Sequence, residues 1–218
     1  MPPGDLIIFD FDGTLADTWR DIATAVNQTL VGAELPPVEA ASVKDWIGHG
    51  VLNLLRRALT ATAGTADERR VAALYDVFRG HYDRCCLDTT TLYDGMRAAL
   101  DQLDGATLAI LSNKPQFFLD RIVDGLGVRR RFVAVVGGDA LAVQKPDPAT
   151  IAHVVALAGP AARIWMVGDS AVDVATGRAY AAHTVGCTWG MRPRAELQEA
   201  GAAILIDHPA ELPAAIAS

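Results

Sequence analysis

Short runs of consecutive apolar residues recur along the chain, each closed by polar or glycine-rich residues. Four are clear: 6–9 (LIIF), 108–111 (LAIL), 132–136 (FVAVV) and 164–167 (IWMV). Runs of this length, apolar at every position rather than every second one, suit strands covered on both faces, as in a parallel sheet. Helical spacing separates the later runs. Met96, Leu100 and Leu103 fall on one helix face, then Phe118, Ile122 and Val123, then Ile151, Val154, Val155 and Leu157. Strand–helix alternation predicts a doubly wound, Rossmann-like α/β core with right-handed crossovers. Weaker runs at 184–187 and 203–206 extend the sheet.

Residues 16–91 break this rhythm. They hold no convincing strand. Ile22, Val26 and Leu30 recur every four residues; Val51, Leu52, Leu55 and Leu59 form one apolar stripe, and Val71, Leu74, Tyr75 and Phe78 another. Breaks fall at residues 32–37, at Gly48-His49-Gly50 and at Gly64. The pattern predicts about four helices inserted after the first strand. The expected organisation is an α/β core over 1–15 and 92–218 and an α-helical cap domain over 16–91.

Composition narrows the function classes. A net charge of −7 over 218 residues leaves no fold-wide basic footprint for nucleic acid. No apolar run approaches the ~18 residues of a membrane span. Met1-Pro2-Pro3-Gly4-Asp5 lacks the basic start of a secretory signal. Three cysteines, two of them adjacent at 85 and 86, make neither a disulfide framework nor a zinc spacing. These features point to a cytoplasmic protein with no nucleic-acid or membrane partner. A monomer and a homodimer are both compatible with them.

In an open parallel sheet, ligands bind beyond the carboxyl ends of the strands. The residues there are Asp10-Phe11-Asp12-Gly13-Thr14 after the first strand and Ser112-Asn113-Lys114 after the second. A loop after the third leads to Lys145-Pro146, and Gly168-Asp169-Ser170, with Asp173, follows the fourth. One sheet edge thus gathers four carboxylates, hydroxyls and a lysine. Crowded carboxylates repel and call for a cation. Oxygen ligands without His or Cys favour Mg²⁺ over zinc. A divalent ion beside lysine and hydroxyl donors suits a phosphoryl group. A carboxylate can attack phosphorus, and a second carboxylate can move the protons. Any one of these pieces alone is ordinary turn or capping chemistry; their joint order sets the sequence apart.

The set closely resembles the haloacid dehalogenase superfamily. DFDGTLAD (10–17) resembles its first signature, Ser112-Asn113-Lys114-Pro115 the second, Lys145-Pro146 the third and GDSAVD (168–173) the fourth. The resemblance implies a Mg²⁺-dependent phosphatase acting on a small phosphorylated metabolite. By position, it implies Asp10 as nucleophile and metal ligand. Asp12 would be the general acid and then base, lending its main-chain carbonyl to the metal. Thr14 and Ser112 would bind phosphoryl oxygens, Lys145 would neutralise charge, and Asp169 would ligate the metal. Asp173 and Asn113 would be supporting residues, and Gly13 would make the turn that brings backbone N–H groups to phosphate.

Within the superfamily the sequence is most similar to phosphoglycolate phosphatases. Residues 47–51 (IGHGV) with Leu55 and Arg57-Ala58-Leu59 resemble that family's cap segment. Leu92-Tyr93-Asp94-Gly95 resembles the return from the cap, and 185–190 (VGCTWG) the strand after the fourth signature. This implies 2-phosphoglycolate as substrate, with His49 and Arg57 as cap residues that read it. Val172 stands where many members carry Asn, Ala181 where they usually carry Gly, and Asp147-Pro148 shortens the loop after Lys145. Hydrolysis of a sugar phosphate, nucleotide or pyrophosphate, sugar phosphomutation, and a long-lived phospho-aspartate switch share the same signatures. An intact Asp12 disfavours the switch.

Overall fold

A computed structural model describes residues 4–217; Met1-Pro2-Pro3, part of the stretch read as lacking a secretory signal, lie outside them. The described chain contains, in order, β1 (Leu6–Phe9), β2 (Ala16–Asp17), α1 (Trp19–Gly32), α2 (Ala40–Trp46), α3 (Val51–Ala63), α4 (Glu68–Cys85) and β3 (Thr91–Leu92). It continues with α5 (Met96–Gln102), β4 (Thr107–Leu111), α6 (Gln116–Gly125), β5 (Ala134–Val136), α7 (Ala149–Ala158), β6 (Ile164–Gly168), α8 (Ala171–Ala179), β7 (His183–Cys187), α9 (Arg194–Ala200), β8 (Ile204–Ile206) and α10 (Leu212–Ala217). The chain divides into two compact units. One comprises the chain up to Asp17 and from Leu92 onward, the other Thr18–Thr91.

The larger unit is built on a six-stranded sheet in the order β5-β4-β1-β6-β7-β8. Every pairing is parallel. β1 is central, and all four of its residues are fully buried, so both sheet faces are covered. Leu6 and Ile8 pack with Ala109, Leu111 and Met166 against Ile151 and Val154 of α7. Phe9 meets the ring edge of Phe132. Phe132 belongs to the turn before β5 rather than to the strand, because its N–H is taken by the carbonyl of Arg129 in a 3₁₀ turn. Leu157, expected on the inner face of α7, is 56% exposed.

Register sets the site. Phe9 pairs with Ile110 on one side and Val167 on the other. The next residues of all three strands therefore leave the sheet at one edge. Strand order changes direction about β1, the place where an open parallel sheet splays its loops to form a crevice.

α8 ends in a Schellman motif: Ala182 N–H donates to the Gly177 carbonyl and Ala181 N–H to that of Arg178. This forces Ala181 to φ +61°, a left-handed backbone that crowds its Cβ and that glycine adopts without that cost. Ala181→Gly is expected to stabilise the protein by about 1 kcal/mol, raising Tm by about 2–4 °C. A fall in Tm would show that the strain is relieved elsewhere.

The smaller unit is four helices, α1–α4, with α4 packed on α1 and α3. Gly50 and Gly64, both at positive φ, bound α3, and Asp67 caps α4 by accepting the Arg70 N–H. This unit runs from Thr18 to Thr91. Ala16 closes the tight turn after β1, donating to Phe11 and accepting from Gly13, and enters β2; β2 and β3 form a separate two-stranded sheet. On α3 the buried residues are Leu54, Leu55, Ala58 and Leu59, while Leu52 is 49% exposed. This corrects the expected stripe of Val51, Leu52, Leu55 and Leu59: the covered face of α3 is centred on Leu55 and Ala58.

One buried carboxylate closes this unit. Asp21, 2% exposed, accepts hydrogen bonds from the N–H and hydroxyl groups of both Thr89 and Thr90, at 2.6–3.1 Å. It thereby ties the last residues of the insertion to the first turn of α1. Asp21→Ala leaves these donors unsatisfied and is expected to cost about 3 kcal/mol. Asp21→Asn keeps one acceptor oxygen and should cost less. Urea denaturation of the three proteins checks this; an unchanged midpoint in Asp21→Ala would refute it.

Candidate active site

The residues leaving the sheet edge converge on one buried cluster. Asp10 follows β1, and its N–H continues the ladder to the Val167 carbonyl at 2.8 Å. Its Oδ1 accepts from the Phe11 N–H at 2.6 Å and pairs with Lys145 Nζ at 2.9 Å. The same Nζ lies 2.6 Å from Asp173 Oδ1. Lys145, 5% exposed, comes from the loop after β5 and is followed by a cis peptide to Pro146. Asn113 grips that loop by its main chain: its Oδ1 accepts the Lys145 N–H at 3.0 Å and its Nδ2 donates to the Lys145 carbonyl at 3.1 Å.

Asp169 and Asp173 flank the N-terminus of α8. Asp173 Oδ2 accepts from the Ser170 N–H and hydroxyl at 3.1 and 2.6 Å, forming a capping box. The capping role and the pairing with Lys145 therefore coexist in one side chain. Asp169 Oδ1 accepts from Thr14 Oγ1 at 3.3 Å and its Oδ2 from the Met191 N–H at 2.7 Å.

Two glycines make this possible. A Cβ on Gly13, which adopts φ +87°, would lie 2.3 Å from Asp169 Oδ2. One on Gly190 would lie 2.3 Å from Asp169 Cβ and 2.4 Å from the Gly13 carbonyl. The Gly13 N–H is engaged within its own turn, donating to the Ala16 carbonyl. Ser112 Oγ accepts the Lys114 N–H at 3.4 Å.

Oxygens of Asp10, Asp169 and Asp173 all lie within 4.8 Å of one another. Burial, then the charge of Asp173, pushes the Asp10 carboxyl up to about 7 against the pull of Lys145. Burial, Asp173 and Asp10 push Asp169 up to about 8, with the Met191 N–H and Arg192 opposing. Burial works against the Lys145 ammonium, but Asp10 and Asp173 outweigh it and raise its pKa. Burial and mutual repulsion thus disfavour the charged forms of Asp10 and Asp169, and an all-oxygen donor set of that span fits a hard divalent cation such as Mg²⁺.

Some participants escaped the sequence reading. Lys114 Nζ lies 2.9 and 3.2 Å from the two carboxylate oxygens of Asp12. Trp189 Nε1 donates to the Thr14 carbonyl at 3.1 Å, and Glu196 accepts the Ala171 N–H at the start of α8. Lys114 stands in the second signature, at the end of a strand next to β1, which was the available signal.

His49 and Arg57 lie in the helical unit. His49 is exposed between α2 and α3, and Arg57 is exposed on α3 with Nη1 3.5 Å from the Asp45 carbonyl. Arg56 pairs with Glu68 at 2.8 Å on the helix surface. Cys85 and Cys86 are buried free thiols. Among the described residues no helix is long and apolar enough to cross a membrane.

Comparison with known proteins matches residues 5–180 to the model of the haloacid dehalogenase-like hydrolases. The chain is 37% identical to a phosphoglycolate phosphatase of Cereibacter sphaeroides over 95% of each chain. It is 34% identical to one of Colwellia psychrerythraea over 90% of each. Among solved structures, a predicted phosphoglycolate phosphatase from Haemophilus somnus superposes with a TM-score of 0.91 over the whole of both chains, at 27% identity.

Proposed function

Because this chain belongs to the haloacid dehalogenase-like hydrolases and is a phosphatase, we propose that it hydrolyses 2-phosphoglycolate through a phosphoryl group carried on Asp10. The observation that carries the chemistry is the buried Asp10–Lys145–Asp173 chain beside Asp169. The substrate rests on the names of the curated relatives and on the likeness of residues 47–59 to the phosphoglycolate phosphatase cap.

In this reading Asp10, Asp169 and the Asp12 main-chain carbonyl would hold Mg²⁺, with Asp173 supporting them. The ion would supply charge neutralisation at the phosphoryl oxygens. A carboxylate oxygen of Asp10 attacks phosphorus as the bond from phosphorus to the substrate's alkoxide oxygen breaks. Asp12 gives that oxygen its proton, releasing glycolate. Asp12 then takes a proton from water. The water oxygen attacks phosphorus, the bond to Asp10 breaks, and inorganic phosphate leaves.

Lys145, 2.9 Å from Asp10, would offset the negative charge shared by Asp10 and the phosphoryl group. Asp173 orients it from one side and Asn113 holds its backbone. Ser112 would offer a hydroxyl donor to the phosphoryl oxygens, whereas the Thr14 hydroxyl donates to Asp169. Glycine at 13 and 190 allows Asp169 to approach the nucleophile loop.

Phosphate release from a panel tests the substrate: 2-phosphoglycolate, sugar phosphates, mononucleotides, pyrophosphate and an aryl phosphate, each with and without Mg²⁺. The expected result is a kcat/KM for 2-phosphoglycolate at least about 100-fold above every other compound, corresponding to about 2.7 kcal/mol of discrimination. His49→Ala and Arg57→Ala should then narrow the gap through KM. Broad, even activity across the panel would overturn the named substrate, and appearance of an isomerised sugar phosphate would favour a mutase.

A further inference from the structure

We propose that Lys114 is a positioning residue for Asp12, holding the proton-transferring carboxylate in one orientation. The proposal rests on the role given to Asp12 above. Both oxygens of Asp12 lie within hydrogen-bond distance of the same ammonium, at 2.9 and 3.2 Å. The two side chains are 3% and 11% exposed. An ion pair this sheltered is poorly screened, and a carboxylate held through both oxygens loses its freedom to rotate.

Lys114 is itself anchored so that it can impose an orientation. Its carbonyl accepts the Gly138 N–H at 2.8 Å, and its N–H meets Ser112 Oγ. Gly138 backs directly onto the preceding residue: a Cβ there would lie 2.4 Å from the Asn113 carbonyl oxygen. Gly137 has no more room, with a Cβ falling 2.6 Å from Gln116 Cα and 2.9 Å from the Lys114 carbonyl oxygen. The Gly137-Gly138 corner after β5 is thus a backstop for the loop after β4.

Asn113 faces the other way and fastens the Lys145 main chain. Three consecutive residues therefore divide the work. Ser112 offers a hydroxyl to phosphate, Asn113 sets the lysine that pairs with the nucleophile, and Lys114 sets the carboxylate that moves protons. The side chain of Lys114 reaches across to a loop 102 residues earlier in the chain, which no local turn requirement explains. A residue acting through orientation affects turnover more than binding, since small misplacements of a reacting group cost rate steeply.

The test is steady-state kinetics with 2-phosphoglycolate and with an aryl phosphate, on the full chain with Mg²⁺. Wild type, Lys114→Met, Lys114→Arg, Asp12→Asn and the double variant Lys114→Met/Asp12→Asn are compared, with thermal unfolding of each. Lys114→Met is expected to lower kcat at least tenfold on both substrates with KM within twofold, and Lys114→Arg to recover part of the loss. In the Asp12→Asn background the Lys114→Met change should cost less than twofold, because no ionised carboxylate remains to be oriented. An unchanged kcat in Lys114→Met, a loss carried by KM, or a full loss that persists in the Asp12→Asn background would each overturn the proposal. If Lys114→Met unfolds, Lys114→Arg and Lys114→Gln carry the same comparison. Near-wild-type turnover in Asp12→Asn would instead sink the role of Asp12, and the positioning role with it.

Discussion

Asp10→Asn is expected to lower phosphatase turnover by at least about 10⁴-fold while the protein stays folded. The amide is close in size to the carboxylate, so the packing around β1 survives. It is a far weaker nucleophile, and it removes the charge that Lys145 pairs with. The loss should be equal on an aryl phosphate, whose good leaving group needs little acid help, because the attacking atom itself is missing. Radiolabel from a phosphorylated substrate should appear on wild-type protein quenched in acid and not on the variant. Retention of near-normal turnover would remove Asp10 from the chemistry.

Removing metal should have the second-largest effect. Chelation is expected to cut turnover by at least about 10³-fold, restored by Mg²⁺, since several kcal/mol of phosphoryl charge stabilisation is lost. Stability carries an independent signature. In the folded metal-free chain Asp10 and Asp169 titrate near 7 and 8, well above the ordinary value of 3.8, because burial and Asp173 disfavour their charged forms. Between about pH 4 and 8 the folded state therefore holds protons that the unfolded state has released. The contribution of these two groups is fully present below pH 4 and declines as pH rises through that window.

Mg²⁺ binds the ionised carboxylates, so its stabilisation should grow in the same direction. The Tm gain from saturating Mg²⁺ is expected to be larger at pH 8 than at pH 5, on the order of 5 °C. Asp10→Asn lacks one of the penalised charges. Its Tm without metal should exceed that of wild type increasingly as pH rises from 4 to 8, and its response to Mg²⁺ should shrink. Scanning unfolding at four pH values, with chelator or Mg²⁺, measures both. A Mg²⁺ response independent of pH would mean that the ion does not bind at these carboxylates.

The sheet was readable from sequence because its strands are apolar on both faces, and such runs have few alternatives once glycine and aspartate close them. Strand ends then named the signature residues directly. Legibility fell where the decisive contact was not local. The α3 stripe was misplaced because Leu52 and Leu54 are equally apolar, and only the neighbouring helices decide which one is covered. Ala181 could be marked as unusual, yet its left-handed backbone became visible only in the helix-ending hydrogen bonds.

By itself, the sequence determined the kinds of groups this protein brings to one edge of a parallel sheet, and their order. Those depend on local patterns: apolar runs, helical spacing, and the residues that follow each strand. Tertiary structure decided which lysine meets which aspartate. Lys145 bridges Asp10 and Asp173, while Lys114 takes Asp12. It also decided that Gly190 and Met191 shape the surroundings of Asp169, and that Asp21 closes the helical unit on Thr89 and Thr90. The physical reason is the same throughout. A buried charge is stabilised by whichever partner the folded backbone brings within about 3 Å, and that distance is set by chain segments far apart in sequence.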